Sequence, residues 1–86
     1  MVVEHYRNGP AAVYARAAQK GRMLPEGLSY VDSWVVAGSL DRCFQLMETD
    51  DERLFDAWYA AWEDLVSFER YAVLTSAAVS AAFRES

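Results

Sequence analysis

The chain has 86 residues, 53% of them hydrophobic and 14% aromatic, a length that accommodates one domain spanning residues 1–86. Its net charge of −5, from 13 acidic and 8 basic residues, disfavours nucleic acid and anionic membranes, which require clustered positive charge. One cysteine and one histidine exclude an internal disulfide and a zinc cluster.

The chain opens with a predicted strand followed by a predicted helix. Val2–Tyr6 is rich in strand-forming residues. Asn8-Gly9-Pro10 predicts a turn, and Pro10 suits the first position of a helix that extends to about Met23. Pro25-Glu26-Gly27 ends the helical pattern.

Two further strands follow and are joined by a short turn. The first extends from Leu28 to about Val36, and the second from Asp41 to Glu48. Ala37-Gly38-Ser39 connects them, and so short a connection predicts antiparallel neighbours.

The last third predicts a helix, a strand and a final helical turn. Thr49-Asp50-Asp51-Glu52 matches a capping box with Thr49 as the N-cap, and the helix extends to about Leu65. Val66 to Leu74 is predicted as the fourth strand, and either Thr75 or Ser76 is the expected cap of a last, alanine-rich helical turn.

The order strand, helix, strand, strand, helix, strand predicts an α+β, ferredoxin-like βαββαβ fold. We expect a four-stranded antiparallel sheet with two helices on one face. Trp58, Tyr59 and Trp62 recur at helical spacing, which is typical of a helix face buried in the core.

The strands are apolar on both faces, although a water-exposed sheet face is normally polar. One set of alternating residues suits packing under the helices: Val31, Val35, Phe44 and Leu46. The opposite face then carries Tyr30, Trp34, Val36, Cys43 and Met47, mixed with Asp32 and Gln45. This pattern predicts a homodimer whose two sheets face each other. The alternative is that the C-terminal segment folds back over the second face.

Two titratable residues are candidates for chemistry, His5 and Asp32. Tyr30, Trp34, Gln45 and Arg70 are candidates for lining a small-molecule pocket on the sheet. The alternatives are a hydrogen-bonded strand histidine and a structural Asp32–Arg70 ion pair at a dimer interface. No motif predicts a metal or another cofactor.

Four segments together resemble a family of short bacterial proteins known as a domain of unknown function. They are Val3 to Tyr6, Gly21 to Leu28, Tyr30 to Trp34, and Arg42 to Glu48. The segment order also resembles the ferredoxin-like dimeric α/β barrel superfamily, which includes cofactor-independent monooxygenases, haem-degrading enzymes and lactone isomerases. The resemblance implies a fold and a dimer, but no residue motif of those enzymes is present and fold alone does not assign function.

Three functional hypotheses follow from this sequence. The first is a homodimer that binds a small molecule in a pocket on the sheet. The second is a cofactor-independent monooxygenase-like or isomerase-like enzyme acting on a small aromatic or polyketide-like substrate, and the third is a protein interaction module.

The first predicted strand begins at Val2, and the apolar stretch from Ala72 to Phe83 is too short to span a bilayer. We therefore expect a cytoplasmic location and no membrane partner.

Overall fold

Four antiparallel strands form one sheet in the order β2-β3-β1-β4. The computed structural model describes the backbone of residues 1–85 and the side chains of residues 1–84. Within that part the elements are β1 (Val2–Tyr6), α1 (Pro10–Lys20), β2 (Ser29–Val35), β3 (Arg42–Glu48), α2 (Arg53–Trp62), β4 (Val66–Arg70) and α3 (Ser76–Glu85). The predicted α+β architecture is confirmed, with a third helix added.

One face of the sheet packs against α1 and α2. The sheet contributes Val2, Tyr6, Cys43, Met47 and Val66 to the buried core, and the helices contribute Val13, Phe55, Trp58 and Trp62. The prediction that the α2 aromatic residues form the core is confirmed for both tryptophans, while Tyr59 is partly buried and stacks on Phe68 at 4.2 Å. None of the described helices is long and apolar enough to cross a membrane.

The predicted assignment of β3 to the two sheet faces is wrong. Cys43 and Met47 are buried under the helices, whereas Phe44 and Leu46 lie on the face that carries no helix, which we call the helix-free face. The alternation along β3 defines two apolar sets of similar size but does not say which set faces the helices. The register with Val2 and Tyr6 of β1 decides it.

A β-bulge divides the residues of β2 that were predicted to share one face. Tyr30 pairs with Met47 and Asp32 pairs with Leu46, so Val31 is an extra residue in the ladder. Tyr30 therefore lies on the helix side, and Asp32 and Trp34 lie on the helix-free face. The prediction that Val31 packs under the helices is wrong, because Val31 is 50% exposed and lines a groove with Leu46 of the helix-free face. A bulge depends on pairing between strands, and strict alternation along one strand does not reveal it.

The predicted capping box before α2 is also wrong. The helix begins at Arg53, and the Asp51 carboxylate accepts the N–H of Arg53 at 3.0 Å. The hydroxyl of Thr49 instead accepts the N–H of Asp51 at 3.1 Å. Hydrogen bonds from Arg53 lower the pKa of the Asp51 carboxyl. Thr49 therefore stabilises a turn, and Asp51 satisfies a free donor at the helix N-terminus.

The chain beyond β4 departs from the predicted strand. β4 ends at Arg70 rather than Leu74, and α3 follows as a helix of 10 residues. Of the two residues predicted as caps, Thr75 and Ser76, it is Thr75 that caps this helix, because its hydroxyl accepts the N–H of Ala78 at 3.0 Å. Every described residue from Tyr71 to Arg84 is exposed, so the C-terminal segment does not cover the helix-free face of its own chain.

Gly27 occupies a backbone position that a larger residue fits poorly. Its φ is +93°, and a Cβ there would lie 3.0 Å from Cδ1 of Leu54. We expect Gly27→Ala to lower the free energy of unfolding by about 1 kcal/mol or more, from backbone strain and this contact. Urea denaturation measures the change. Gly38→Ala is the matched control, because nothing lies within 4 Å of its Cβ position, and an equal loss in both variants would contradict the explanation.

Candidate functional site

A cavity of about 260 Å³ lies between α1 and the inner face of the sheet. Alternating positions of the three strands β1, β2 and β3 form its floor, because residues two apart on a strand share a face. The floor residues are Glu4, Tyr6, Ser33, Val35, Cys43 and Gln45. The walls are Val13, Tyr14 and Ala17 of α1 and the indoles of Trp58 and Trp62 of α2. We call this cavity the inner pocket.

A buried carboxylate and a buried amide meet on the floor of the inner pocket. Glu4 is 4% exposed and Gln45 is 8% exposed. The Gln45 amide nitrogen donates to the Glu4 carboxylate. Burial raises the pKa of Glu4, and the Gln45 amide, the Cys43 thiol and the charge of Arg22 partly offset this effect. The floor therefore holds a carboxyl group in a poorly solvated environment.

The amide oxygen of Gln45 is buried and accepts no hydrogen bond from the residues that the structure describes. An acceptor buried in this way costs free energy unless a partner supplies a donor. The Glu4 carboxyl lies beside it and is also an acceptor when ionised. Both residues line the inner pocket, so two neighbouring acceptors lie at its floor.

The segment after α1 closes one side of the inner pocket. The backbone carbonyl of Arg22 accepts hydrogen bonds from the Nε1 atoms of Trp58 and Trp62, each at 3.0 Å. The guanidinium carbon of Arg22 lies 3.6 Å from the centre of the Tyr30 ring. This residue therefore fixes both indoles through its backbone and brings a positive charge to the pocket.

Two other titratable groups of the inner pocket, the Cys43 thiol and the Tyr6 hydroxyl, are uncharged at neutral pH. Burial raises the pKa of the Cys43 thiol to about 11, and it raises the pKa of the Tyr6 hydroxyl further above its ordinary value. A thiol with this pKa is almost entirely protonated at neutral pH and is a poor nucleophile. The Cys43 thiol is therefore poorly suited to act as a nucleophile, and Glu4 supplies the carboxyl group of the pocket.

The predicted catalytic candidates lie outside the inner pocket. His5 is on the helix-free face, where its Nε2 lies 2.7 Å from Oε1 of Glu69. Asp32 is exposed on the same face and accepts the N–H of Ser33 at 2.8 Å. The structure thus places His5 in a strand hydrogen bond, which was the alternative interpretation for this residue.

The predicted ligand-binding residues are divided between the two faces. Gln45 is in the inner pocket, and the Tyr30 hydroxyl contacts Ser33 Oγ at 2.7 Å beside it. Trp34 lies on the helix-free face and is 50% exposed. The Arg70 guanidinium lies over the Phe55 ring at 4.6 Å, on the helix side of the sheet, so the structure does not bring it to Asp32. His5, Asp32 and Gln45 therefore do not converge on one cavity.

Glu4 was not among the predicted site residues. The usable signal was the pattern of β1, since the apolar residues Val2 and Tyr6 share a face with Glu4. A carboxylate between two core positions is an uncommon arrangement that marks a candidate site.

The fold and the pocket define an α+β domain with a small, aromatic-walled pocket that has a buried carboxyl group. Among the described residues, no cluster of three His, Cys, Asp or Glu side chains could hold a metal ion. The chain belongs to the family described as Domain of unknown function (DUF3303), whose model matches residues 1–86. No curated protein and no solved structure matches the chain.

Proposed function

We propose that this chain binds a small molecule in the inner pocket and that Glu4 and Gln45 recognise it. The observation that carries the proposal is the buried, unpaired amide oxygen of Gln45 beside the buried Glu4 carboxyl. Neither group is explained by packing, because a buried carboxylate and an unsatisfied acceptor each destabilise the fold. Polar groups that destabilise the fold and converge on a cavity are characteristic of binding sites.

The chemistry of the inner pocket defines the class of ligand. Two adjacent acceptors call for a ligand that donates hydrogen bonds, such as an amide, an amine or a hydroxyl compound. The walls of Trp58, Trp62 and Val13 suit an apolar or aromatic body. The volume is below the ~300 Å³ at which drug-sized ligand sites begin, so the ligand is small.

A thermal-shift screen of small amides, amines and alcohols tests this proposal. A ligand present at 100 times its Kd should stabilise the protein by about 2.7 kcal/mol, which raises Tm measurably. Gln45→Leu replaces the amide, and with it the unpaired acceptor, by an apolar side chain, and it should abolish the shift. Asp32→Asn on the helix-free face is the matched control and should keep it.

Two results would count against the proposal. One is a screen of these compound classes that produces no shift with the unmodified protein. The other is a compound that binds the Gln45→Leu variant with unchanged affinity, because its site would then lie elsewhere.

A cofactor-independent enzyme of the monooxygenase or isomerase type is the second candidate function. The observation that favours it is the buried Glu4 carboxyl in the inner pocket, whose pKa is shifted upward, the direction that a general base working at neutral pH requires. In this candidate Glu4 takes the place predicted for His5 or Asp32. A ligand found by the screen and converted by the unmodified protein but not by Glu4→Gln would support it.

We also propose a homodimer that forms through the helix-free faces. Val31 and Trp34 are each 50% exposed there, and Phe44 and Leu46 beside them are only partly buried. The element order and the strand order β2-β3-β1-β4 support membership of the ferredoxin-like dimeric α/β barrel superfamily. A monomer in light scattering at micromolar concentration would contradict the dimer.

We also propose a cytoplasmic location, with which the free cysteine is consistent.

A further inference from the structure

The last segment of the chain exposes apolar side chains to water. We call residues 71–84 the C-terminal arm. Leu74 is 78% exposed, and Val73 and Val79 are also exposed. The sequence has no charged residue from Tyr71 to Ala82, although 24% of the whole chain is charged. An exposed segment of this composition is typical of an interaction surface.

The helix in this arm is too short to be stable without packing. α3 has 10 residues, and isolated helices below ~12–15 residues are marginal in water even when they are rich in alanine. Each of its described residues is exposed on its own chain. Packing against a surface on another molecule would therefore stabilise this helix.

The helix-free face offers such a surface at its β2 edge. Trp34 and Val31 lie there, half-exposed, and each copy of the chain carries both this apolar edge and an apolar arm. Contacts between unlike patches of two identical chains are formed twice in a symmetric dimer, which doubles the area that they bury. A second copy of this chain is thus the occupant that the two surfaces fit.

The sheet order brings the arm to the correct place. The arm leaves the sheet from β4, which is one edge, while β2 is the other edge. A two-fold axis parallel to the strands between two facing sheets reverses the strand order of the second sheet. β4 of one copy then lies opposite β2 of its partner. The arm then starts beside the partner's β2 edge. An α3 about 15 Å long is as long as the whole sheet is wide, about 14 Å, so it is long enough to cover this edge.

We propose that the C-terminal arm of each copy packs against the partner copy, with α3 covering the β2 edge of the partner's helix-free face. The inference rests on the proposed homodimer and adds the segment that clasps it. In this contact the apolar side chains of one copy's arm and Trp34 of the other copy are both removed from water.

Intermolecular disulfide formation in the full-length chain tests this arrangement. Chains with V79C are mixed with ¹⁵N-labelled chains with W34C and mildly oxidised, and mass spectrometry identifies the linked pair. The native Cys43 is buried and its thiol pKa is about 11, so it should not exchange. We expect the V79C–W34C disulfide in the mixture, well above the level with Q19C, an exposed control position on α1.

Each other outcome overturns a defined part of the inference. A dimer in light scattering that gives no V79C–W34C product above the control level would remove the arm contact and leave the dimer. A dominant link between two V79C chains would show that the arms pair with each other instead. A monomeric chain would overturn both the dimer and the arm contact. The inner pocket is unaffected in every case, because the ligand screen tests it separately.

Discussion

Trp58→Ala should lower the free energy of unfolding by about 3–5 kcal/mol, the range for removing a buried tryptophan. Its side chain is 1% exposed and packs against Tyr59 and Phe68 at ring distances of 5.8 and 5.6 Å. The truncation also removes the hydrogen bond to the Arg22 carbonyl and enlarges the inner pocket. Urea denaturation followed by circular dichroism measures the loss.

Two variants separate the parts of this effect. Trp58→Phe keeps a ring but loses the indole N–H, and we expect a smaller loss because the Arg22 carbonyl still accepts from Trp62. Gln19→Ala shortens an exposed side chain on α1, outside the proposed subunit contacts, and should leave the free energy of unfolding nearly unchanged. A Trp58→Ala loss as small as that of Gln19→Ala would contradict the described core.

Glu4→Gln should stabilise the protein at neutral pH and reduce the pH dependence of its stability. Burial raises the pKa of Glu4 above its ordinary value of 4.5, so the native state holds this proton more tightly than the unfolded state. The resulting stabilisation is complete below the unfolded pKa and is lost as the pH rises through the native pKa. The slope is at most about 1.4 kcal/mol per pH unit.

Urea denaturation of both proteins from pH 4 to 8 checks this expectation. The difference between them isolates Glu4, because the other titratable groups are common to both. The unmodified protein should lose stability relative to Glu4→Gln as the pH rises, and the difference should become constant above the native pKa. A difference that does not change with pH would mean that Glu4 is solvated in the native state. Asp32→Asn is the control for a carboxylate that is already exposed.

The elements could be predicted from sequence, whereas the details of strand pairing could not. Turn residues such as Gly9-Pro10 and the aromatic spacing of α2 are local signals, and the structure contains those elements. Which of Cys43 and Phe44 faces the helices depends on the register with β1, and the bulge at Val31 depends on β3. Register is a property of two strands, so one strand at a time cannot define it.

The site was predicted only in part for the same reason. Gln45 was named as a candidate pocket residue and lines the inner pocket, but it was grouped with Asp32 and Trp34 on one face. The bulge separates that group, and the true neighbour of Gln45 is Glu4 of β1, which is distant in sequence. Glu4 was visible as a polar residue in the apolar pattern of β1. Its position beside Gln45 could be recognised only once the strand order was known.

The different environments of the three tryptophans provide a spectroscopic consequence. Trp58 and Trp62 are enclosed and share one carbonyl acceptor, whereas half of the Trp34 surface is open. In a single chain, a water-soluble quencher such as acrylamide should therefore dim chiefly the emission of Trp34. If raising the protein concentration protects the Trp34 emission from the quencher, the subunits are in contact at β2. A change in the emission of the shielded Trp58 and Trp62 would instead report that a ligand occupies the inner pocket.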